Sequence, residues 1–405
     1  MAEIFSNAQL TISATRAKGG ADGCFSIRSQ EPFEFNHRGE RRQIRDNPDI
    51  WSSFHTTARD RDGIVKDLFL RIKPRHGVQH DPLLKRAWVF QEQILSPRIV
   101  HFASGELYWE CQSYVCCECI GWEKRSESLQ LETRRRKAHN QLVRRRPSLQ
   151  NPFSTFPEQE RERDFEAYRS LIEQYTNTDI TFDLDRLPAL SGIAFGRHDE
   201  YLAGMWKSIL VESLHWISTR SLSHAMAYRP FENKAPSWSW VAIKSPVRHI
   251  GEFSAEFRDS IYGKGKVLAK VVAASCTTEG ADERGRVESG YLKIQGLTTR
   301  CKVTRIGLRD SPNLHQSDSY GKIAGHGVEG EFELDVPIVL ARTQSSEVSP
   351  GEDLLLLQLS QRVALILQDI AEAPGAYRRV GISCMDKEDL QKWFAKSVIA
   401  SIFVL

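Results

Sequence analysis

The sequence predicts an α+β protein with a helical middle region and a β-rich C-terminal region, preceded by a smaller mixed segment. Two changes of apolar period carry this expectation. Phe165, Tyr168, Leu171, Ile172 and Tyr175 recur at helical spacing, as do Met205, Ile209, Leu210, Leu214 and Ile217. After about Phe253 the period falls to two, in Leu292-x-Ile294, Cys301-x-Val303, Phe332-x-Leu334-x-Val336 and Val363-x-Leu365-x-Leu367. Short alternating segments broken by Gly-, Asp- and Ser-rich stretches predict a β-sandwich or small barrel, interrupted by one helix from Glu388 to Lys396.

Taken in order, residues 1–25 read as a helix end followed by a strand over Gln9 to Ala14, with Leu10, Ile12 and Ala14 on one face. Gly19, Gly20 and Gly23 then break the pattern. The charged, aperiodic stretch from Arg28 to about Gly63 reads as loops with one exposed hairpin. A helix is expected from Asp81-Pro82, with Asp81 as cap, Pro82 in the first turn and Leu83, Ala87, Phe90 and Ile94 inward; Pro97 ends it. Ile99 to Phe102 and Leu107 to Cys111 follow as two strands of a hairpin, with Gly105 supplying a positive φ. From about Gly121 to Glu160 the composition turns to Arg, Ser, Gln and Pro, as expected of a basic linker. The expected divisions are therefore 1–120, a linker at 121–160, a helical region at 161–252 and a β-rich region at 253–405.

The bulk composition narrows function by exclusion. A chain of 405 residues with 40% hydrophobic and 26% charged residues is ordinary globular material, and a net charge of +3 implies neither a nucleic-acid nor a membrane partner. Met1-Ala2-Glu3 carries an acid where a secretory signal carries a base, so no export is expected and the cytoplasm is the expected compartment. The longest apolar runs, Leu354 to Leu357 and Val398 to Leu405, are far short of the roughly 20 residues of a membrane helix and read as buried strands. Eight cysteines, four of them between Cys111 and Cys119, suit a reduced protein better than a disulfide framework.

Ile4 to Thr15, with Gly23-Cys24-Phe25 after it, and Arg86 to Arg98 are blocks that resemble parts of the fungal heterokaryon-incompatibility (HET) domain. Ile4-Phe5-Ser6-Asn7-Ala8-x-Leu10-Thr11-Ile12-Ser13-Ala14-Thr15 is similar to its helix-to-strand segment, and Gly23-Cys24-Phe25 to the turn that follows. Arg86-x-Trp88-x-x-Gln91-Glu92-x-x-Leu95-Ser96-Pro97-Arg98 is similar to its Arg-Gly-Trp-Thr-x-Gln-Glu block, with Ala87 in the usual Gly place. Asp185 to Ala194, Tyr201 to Trp206 and Ala235 to Trp240 resemble segments that trail the domain. The resemblance spans residues 4–245 and implies an incomplete α/β domain of Toll/interleukin-receptor-like type, because the family's Leu-Ser-Tyr-x-Trp-Gly and Trp-Ile-Asp-x-Leu-Cys-Ile-x-Gln blocks do not occur here. It implies a role in vegetative incompatibility, self/non-self recognition and programmed cell death through protein partners. The alternatives it leaves are an NAD-cleaving enzyme and an inactive truncated copy.

The family-motif residues are Arg86, Trp88, Gln91, Glu92, Pro97 and Arg98, and Glu92 is the candidate catalytic carboxylate. A buried Glu beside Trp88 has the setting for a raised pKa and acid or base chemistry. Against this stands a structural network in which Arg86, Gln91 and Glu92 satisfy neighbouring strand ends, Arg86 lying six positions before Glu92 and so projecting from a different helix face. Cys111, Cys116, Cys117 and Cys119 lack paired C-x-x-C knuckles, so buried small hydrophobes or redox-sensitive thiols are preferred to zinc and no metal is expected. The acid-free segment Arg134 to Arg146 lacks interleaved aromatics and reads as a solvated linker, not a nucleic-acid site. Trp206, Trp216, Trp238 and Trp240 read as core. No Gly-x-Ser-x-Gly, His-Glu-x-x-His, Walker or Gly-x-Gly-x-x-Gly motif occurs, and no cofactor is implied.

Overall fold

The structure is a computed structural model, which describes residues 2–25, 53–59, 61–71, 81–103, 106–111, 115–118, 158–194, 199–219, 228–229, 235–250, 267–280, 282–308, 319–325, 327–335 and 348–405. The chain is mixed α+β, mostly strand, and divides into two compact units, Met1–Lys137 and Ala138–Leu405. The expected helical region at 161–252 and β-rich region at 253–405 thus lie within one unit. The basic segment Arg134 to Arg146 and the Val336 position lie outside the described residues.

The first unit contains α1 (Ala2–Asn7), β1 (Thr11–Ser13), the hairpin β2 (Ser53–Arg59) and β3 (Val65–Arg71), α2 (Ala87–Leu95), β4 (Arg98–Phe102), β5 (Leu107–Cys111) and β6 (Val115–Cys117). Its four-stranded sheet has the order β1-β4-β5-β6, with β1 parallel to β4 and the other pairs antiparallel. One parallel pair bridged by α2 is a βαβ unit, whereas the rest of this sheet is a meander.

Two expectations for this unit are corrected. The helix expected from Asp81 is broken: Pro82–Lys85 forms a 3₁₀ turn, Arg86 is extended at φ −80° and ψ 131°, and the α-helix starts at Ala87, with no side-chain cap from Asp81. The face of β1 is also inverted. Ile12 is 64% exposed and Leu10 is exposed too, while Thr11 and Ser13 turn toward α2 and the sheet interior. Hydrogen bonding decides this register, because the Thr11 hydroxyl lies 2.8 Å from that of Ser96 at the end of α2.

The second unit begins with α3 (Glu158–Tyr175), and the residues predicted to face inward, Phe165, Tyr168, Leu171, Ile172 and Tyr175, are all buried. α4 (Pro188–Ala194), β7 (Tyr201–Leu202), β8 (Met205–Trp206), α5 (Leu210–Ser213), β9 (Trp216–Ser218) and β10 (Val247–His249) follow. Met205, Ile209, Leu210, Leu214 and Ile217 are buried as expected but do not share one helix. Ala203 and Gly204 have φ of 45° and 91°, which turns the β7–β8 hairpin, and β9 leaves helical geometry to pair antiparallel with β10. A side chain on Gly204 would meet the Trp240 indole at 2.9 Å.

The remaining strands are β11 (Lys270–Thr278), β12 (Val287–Leu308), β13 (Ser319–Gly325), β14 (Val328–Leu334), β15 (Asp353–Gln358), β16 (Val363–Asp369), β17 (Ala376–Cys384) and β18 (Val398–Val404), with α6 (Lys387–Phe394) before the last. The pairings run β12-β13-β14-β17-β16-β15 and return to β12, so six strands close a barrel. Its interior holds Cys301, Val303, Ile323, Phe332, Leu354, Leu356, Ile366 and Val380, and α6 adds Leu390, Trp393 and Phe394 to the same cluster. Phe332 packs directly over Gly321 and Gly381, where any side chain would collide with it. Leu354 to Leu357 is a buried strand as expected, but β18 is not, since only Ile402 and Val404 of its residues are buried.

Arg379 on β17 joins the barrel to the preceding region. It is fully buried, its Nε lies 3.0 Å from Asp335 Oδ2, its Nη1 and Nη2 donate to the carbonyls of Leu214 (2.7 Å) and Trp216 (2.5 Å), and its guanidinium stacks 3.5 Å from the Trp216 ring centroid. Trp216 in turn donates its indole N–H to the Trp238 carbonyl at 3.0 Å. Arg379→Met removes one partner of a desolvated ion pair and is expected to cost about 3–5 kcal/mol in urea unfolding, more than Arg379→Met combined with Asp335→Leu.

Nearby His215 and His249 are both buried; burial pulls the His215 imidazole down to about 4 and lowers His249 as well. A histidine that binds its proton more weakly when folded stabilises the fold above the unfolded pKa of 6.5 and loses that contribution as pH falls toward 4. Urea midpoints are therefore expected to fall between pH 6.5 and 4, and His215→Asn to flatten part of that slope.

Candidate functional site

The blocks Ile4 to Thr15 and Arg86 to Arg98 meet in the first unit. Thr11, Ile12 and Ser13 of the first block pair with Ile99, Val100 and His101, which directly follow the second block. The four strands align side chains in transverse rows, so Ser13, His101, Tyr108 and Cys117 share one row on the α2 side. Thr11, Ile99, Glu110 and Val115 share its neighbour. Ile12, Val100, Trp109 and Cys116 form a row on the opposite face.

On the α2 side a line of polar groups runs through the interior. Gln93 Nε2 donates to Glu110 Oε2 at 2.9 Å, His101 Nε2 lies 3.0 Å from the same oxygen, and His101 Nδ1 lies 3.0 Å from Thr15 Oγ1. Thr15 is 2.9 Å from Ser13 Oγ. The His101 ring stacks on Tyr108 at 4.1 Å and 11°. A carboxylate only accepts, so Nε2 carries the imidazole proton and, in the neutral ring, Nδ1 accepts from the Thr15 hydroxyl. Thr15, His101, Glu110 and Gln93 are buried, and only Ser13 is half-buried. Closed to solvent along most of its length, this relay can hold a proton and fix helix to sheet, but a substrate reaches at most its Ser13 end.

The predicted motif residues fall around this line and not on it. Gln91 is buried, Trp88, Glu92 and Pro97 are half-buried, and Arg86 and Arg98 are exposed. Burial raises the Glu92 carboxyl above its ordinary value, and the Arg86 charge opposes the rise. Arg86 is thus near enough to act on Glu92, contrary to the helical-wheel expectation, because it stands in extended backbone outside the helix. Its carbonyl accepts from Val89 and Phe90 at the helix start. Arg98 opens β4 and reaches the Gln9 carbonyl at 3.4 Å.

Sequence reading passed over Gln93, His101, Glu110 and Thr15. The alternation of β4 and β5 held the signal, since Ile99, His101, Tyr108 and Glu110 take the inward positions. A His and a Glu on the apolar phase of two adjacent strands mark a buried pair.

Cys116 and Cys117 are buried on opposite sheet faces, and burial pushes the Cys116 thiol up, away from the reactive thiolate. Cys111 is half-buried, and Cys119 lies outside the described residues. No cluster of three or more His, Cys, Asp or Glu suited to a metal occurs among the described residues. Nor does any helix among them have the length and apolarity to cross a membrane.

Family models, curated proteins and solved structures all give no match.

Glu110→Leu removes the acceptor of two buried donors and is expected to lower stability by about 2–4 kcal/mol. Glu110→Gln, which keeps an acceptor oxygen, is expected to cost less, and Glu92→Gln under 1 kcal/mol; urea unfolding of the three variants gives the order.

Proposed function

We propose that this protein is a heterokaryon-incompatibility protein, acting in fungal self/non-self recognition and cell-death signalling through a protein partner. The observation that supports the reading is the pairing of two HET-like blocks, Ile4 to Thr15 and Arg86 to Arg98, some seventy residues apart in sequence, within one βαβ unit. In this reading the Toll/interleukin-receptor-like ancestry rests on those blocks. Fold and motif describe descent, and they bear on activity only by analogy.

Association is favoured over turnover by the accessibility of the groups concerned. The relay through His101 and Glu110 is sealed from solvent, and Glu92, although its carboxyl is raised, faces a positive charge from Arg86 that draws it back toward ionisation. An NAD-cleaving enzyme is the second reading, and the raised Glu92 carboxyl is the observation in its favour.

Induced expression of the chain in one of two otherwise compatible fungal strains is expected to arrest growth of the fused cells. Glu92→Gln is expected to leave that arrest unchanged, and purified protein to release no nicotinamide from NAD. Normal heterokaryon growth at confirmed expression would overturn the incompatibility reading, whereas nicotinamide release lost in Glu92→Gln would replace it with the enzymatic one.

A further inference from the structure

The outer face of the β11-β12-β18 layer is not explained by packing. β12 lies between the other two strands, with Lys293 paired to both Ala273 and Phe403, and Gln295 to both Lys270 and Ser401. Paired residues share a face, so Lys270, Tyr291, Lys293, Gln295, Ser401 and Phe403 project together, while Leu292, Ile294, Ile402 and Val404 point inward and are buried. Tyr291 and Phe403 remain 38% and 40% exposed, with ring centroids 6.1 Å apart, and Lys293 Nζ lies 5.0 Å from the Phe403 centroid. Of the other outward positions, Ser275, Thr277 and Ser289 carry hydroxyls and Ala273 and the 70% exposed Ile399 are apolar; no carboxylate stands at an outward position from Lys270 to Thr277, Ser289 to Gln295 or Ile399 to Phe403, and the exposed Glu288 directly precedes Ser289.

From this arrangement we propose that the β11-β12-β18 face binds single-stranded nucleic acid, with bases stacking on Tyr291 and Phe403 and the phosphate backbone meeting Lys293 and Lys270. Three observations select this occupant. Aromatic rings interleaved with cations on an open sheet face are the combination that takes stacked bases and their phosphates without reading sequence. The hydroxyl and amide side chains between the rings offer donors and acceptors to base edges. Lysine and serine are depleted at protein interfaces, and a second copy of the same face would bring lysines against lysines, so a protein partner or self-association fits this surface less well. The inference is independent of the incompatibility reading, since it concerns another unit of the chain and a different ligand.

Fluorescence anisotropy of the full chain with labelled 12-nucleotide oligo(rU) and oligo(dT), measured at 50 and 200 mM salt, tests it. Binding that weakens with salt is expected. Tyr291→Leu and Phe403→Leu are each expected to weaken it roughly 5- to 150-fold, the range that loss of one base–aromatic stack corresponds to. Lys293→Ala is expected to reduce the salt slope by about 0.7. Both aromatics are surface side chains, and unchanged urea midpoints verify that the variants fold. No binding, equal binding of duplex DNA, or wild-type affinity in both aromatic variants would overturn the proposal. So would displacement of the oligonucleotide by poly-glutamate at equal charge concentration, which would assign the face to acidic protein segments. A variant with Arg134, Arg135, Arg136, Arg144, Arg145 and Arg146 replaced by Gln is expected to retain the stacking-dependent part of the binding. Loss of all binding there would assign the affinity to that segment instead.

Discussion

The buried guanidinium of Arg379 is the interaction on which the second unit depends. Withdrawing a charge from water costs several kcal/mol, and the cost is offset only when geometry fills the hydrogen-bonding capacity. Here Asp335 supplies the counter-charge, two main-chain carbonyls accept the remaining donors, and the Trp216 ring covers the flat face. One of those carbonyls, Leu214, immediately follows α5, where helical geometry leaves acceptors without partners. The planar fork of arginine meets all of these at once, which the point charge of lysine cannot. Trp216 is then fixed as a consequence, because its carbonyl and ring both meet Arg379, and its indole N–H holds the Trp238 carbonyl in turn.

The first unit solves a smaller version of the same problem by different means. Its sheet presents a polar row to its own helix, and the apolar side of β1 faces outward at Ile12. The Gln93-Glu110-His101-Thr15 line makes that inversion stable, since each buried polar group meets another at hydrogen-bonding distance. Hydrogen bonding, more than apolar area, sets the register of this small sheet.

Much of the second unit was legible in the sequence. The helical period from Phe165 to Tyr175 and the alternation of Leu292, Ile294, Cys301 and Val303 marked buried faces correctly, because each reports one side of one element. The barrel closure was not legible, as it depends on pairing between strands far apart, and Leu292 to Val303 gave no sign of belonging to a single long strand. The apolar phase of Met205 to Ile217 identified burial but misread the element, since short strands and turns buried all round carry no period of their own. In the first unit, Ala87 to Leu95 was placed on the helix that it forms and Ile99 to Phe102 on its strand, whereas Arg86, read as helical, is extended. The polar residues that hold them, His101 and Glu110, were masked by aromatic neighbours in the same segments.

The length of β12 has a kinetic side. Its residues pair with β11, β13, β15 and β18, and Thr298 is bonded across to both Leu357 and Val398. A strand shared in this way pairs early with its sequence neighbours β11 and β13, but loop entropy must be spent before the distant β15 and β18 repay it. During synthesis, the segment from Val287 to Leu308 therefore waits with an unpaired edge until residues near 400 leave the ribosome. In that interval, unlike in the finished barrel, the edge that later meets β15 and β18 is open to pairing with another chain.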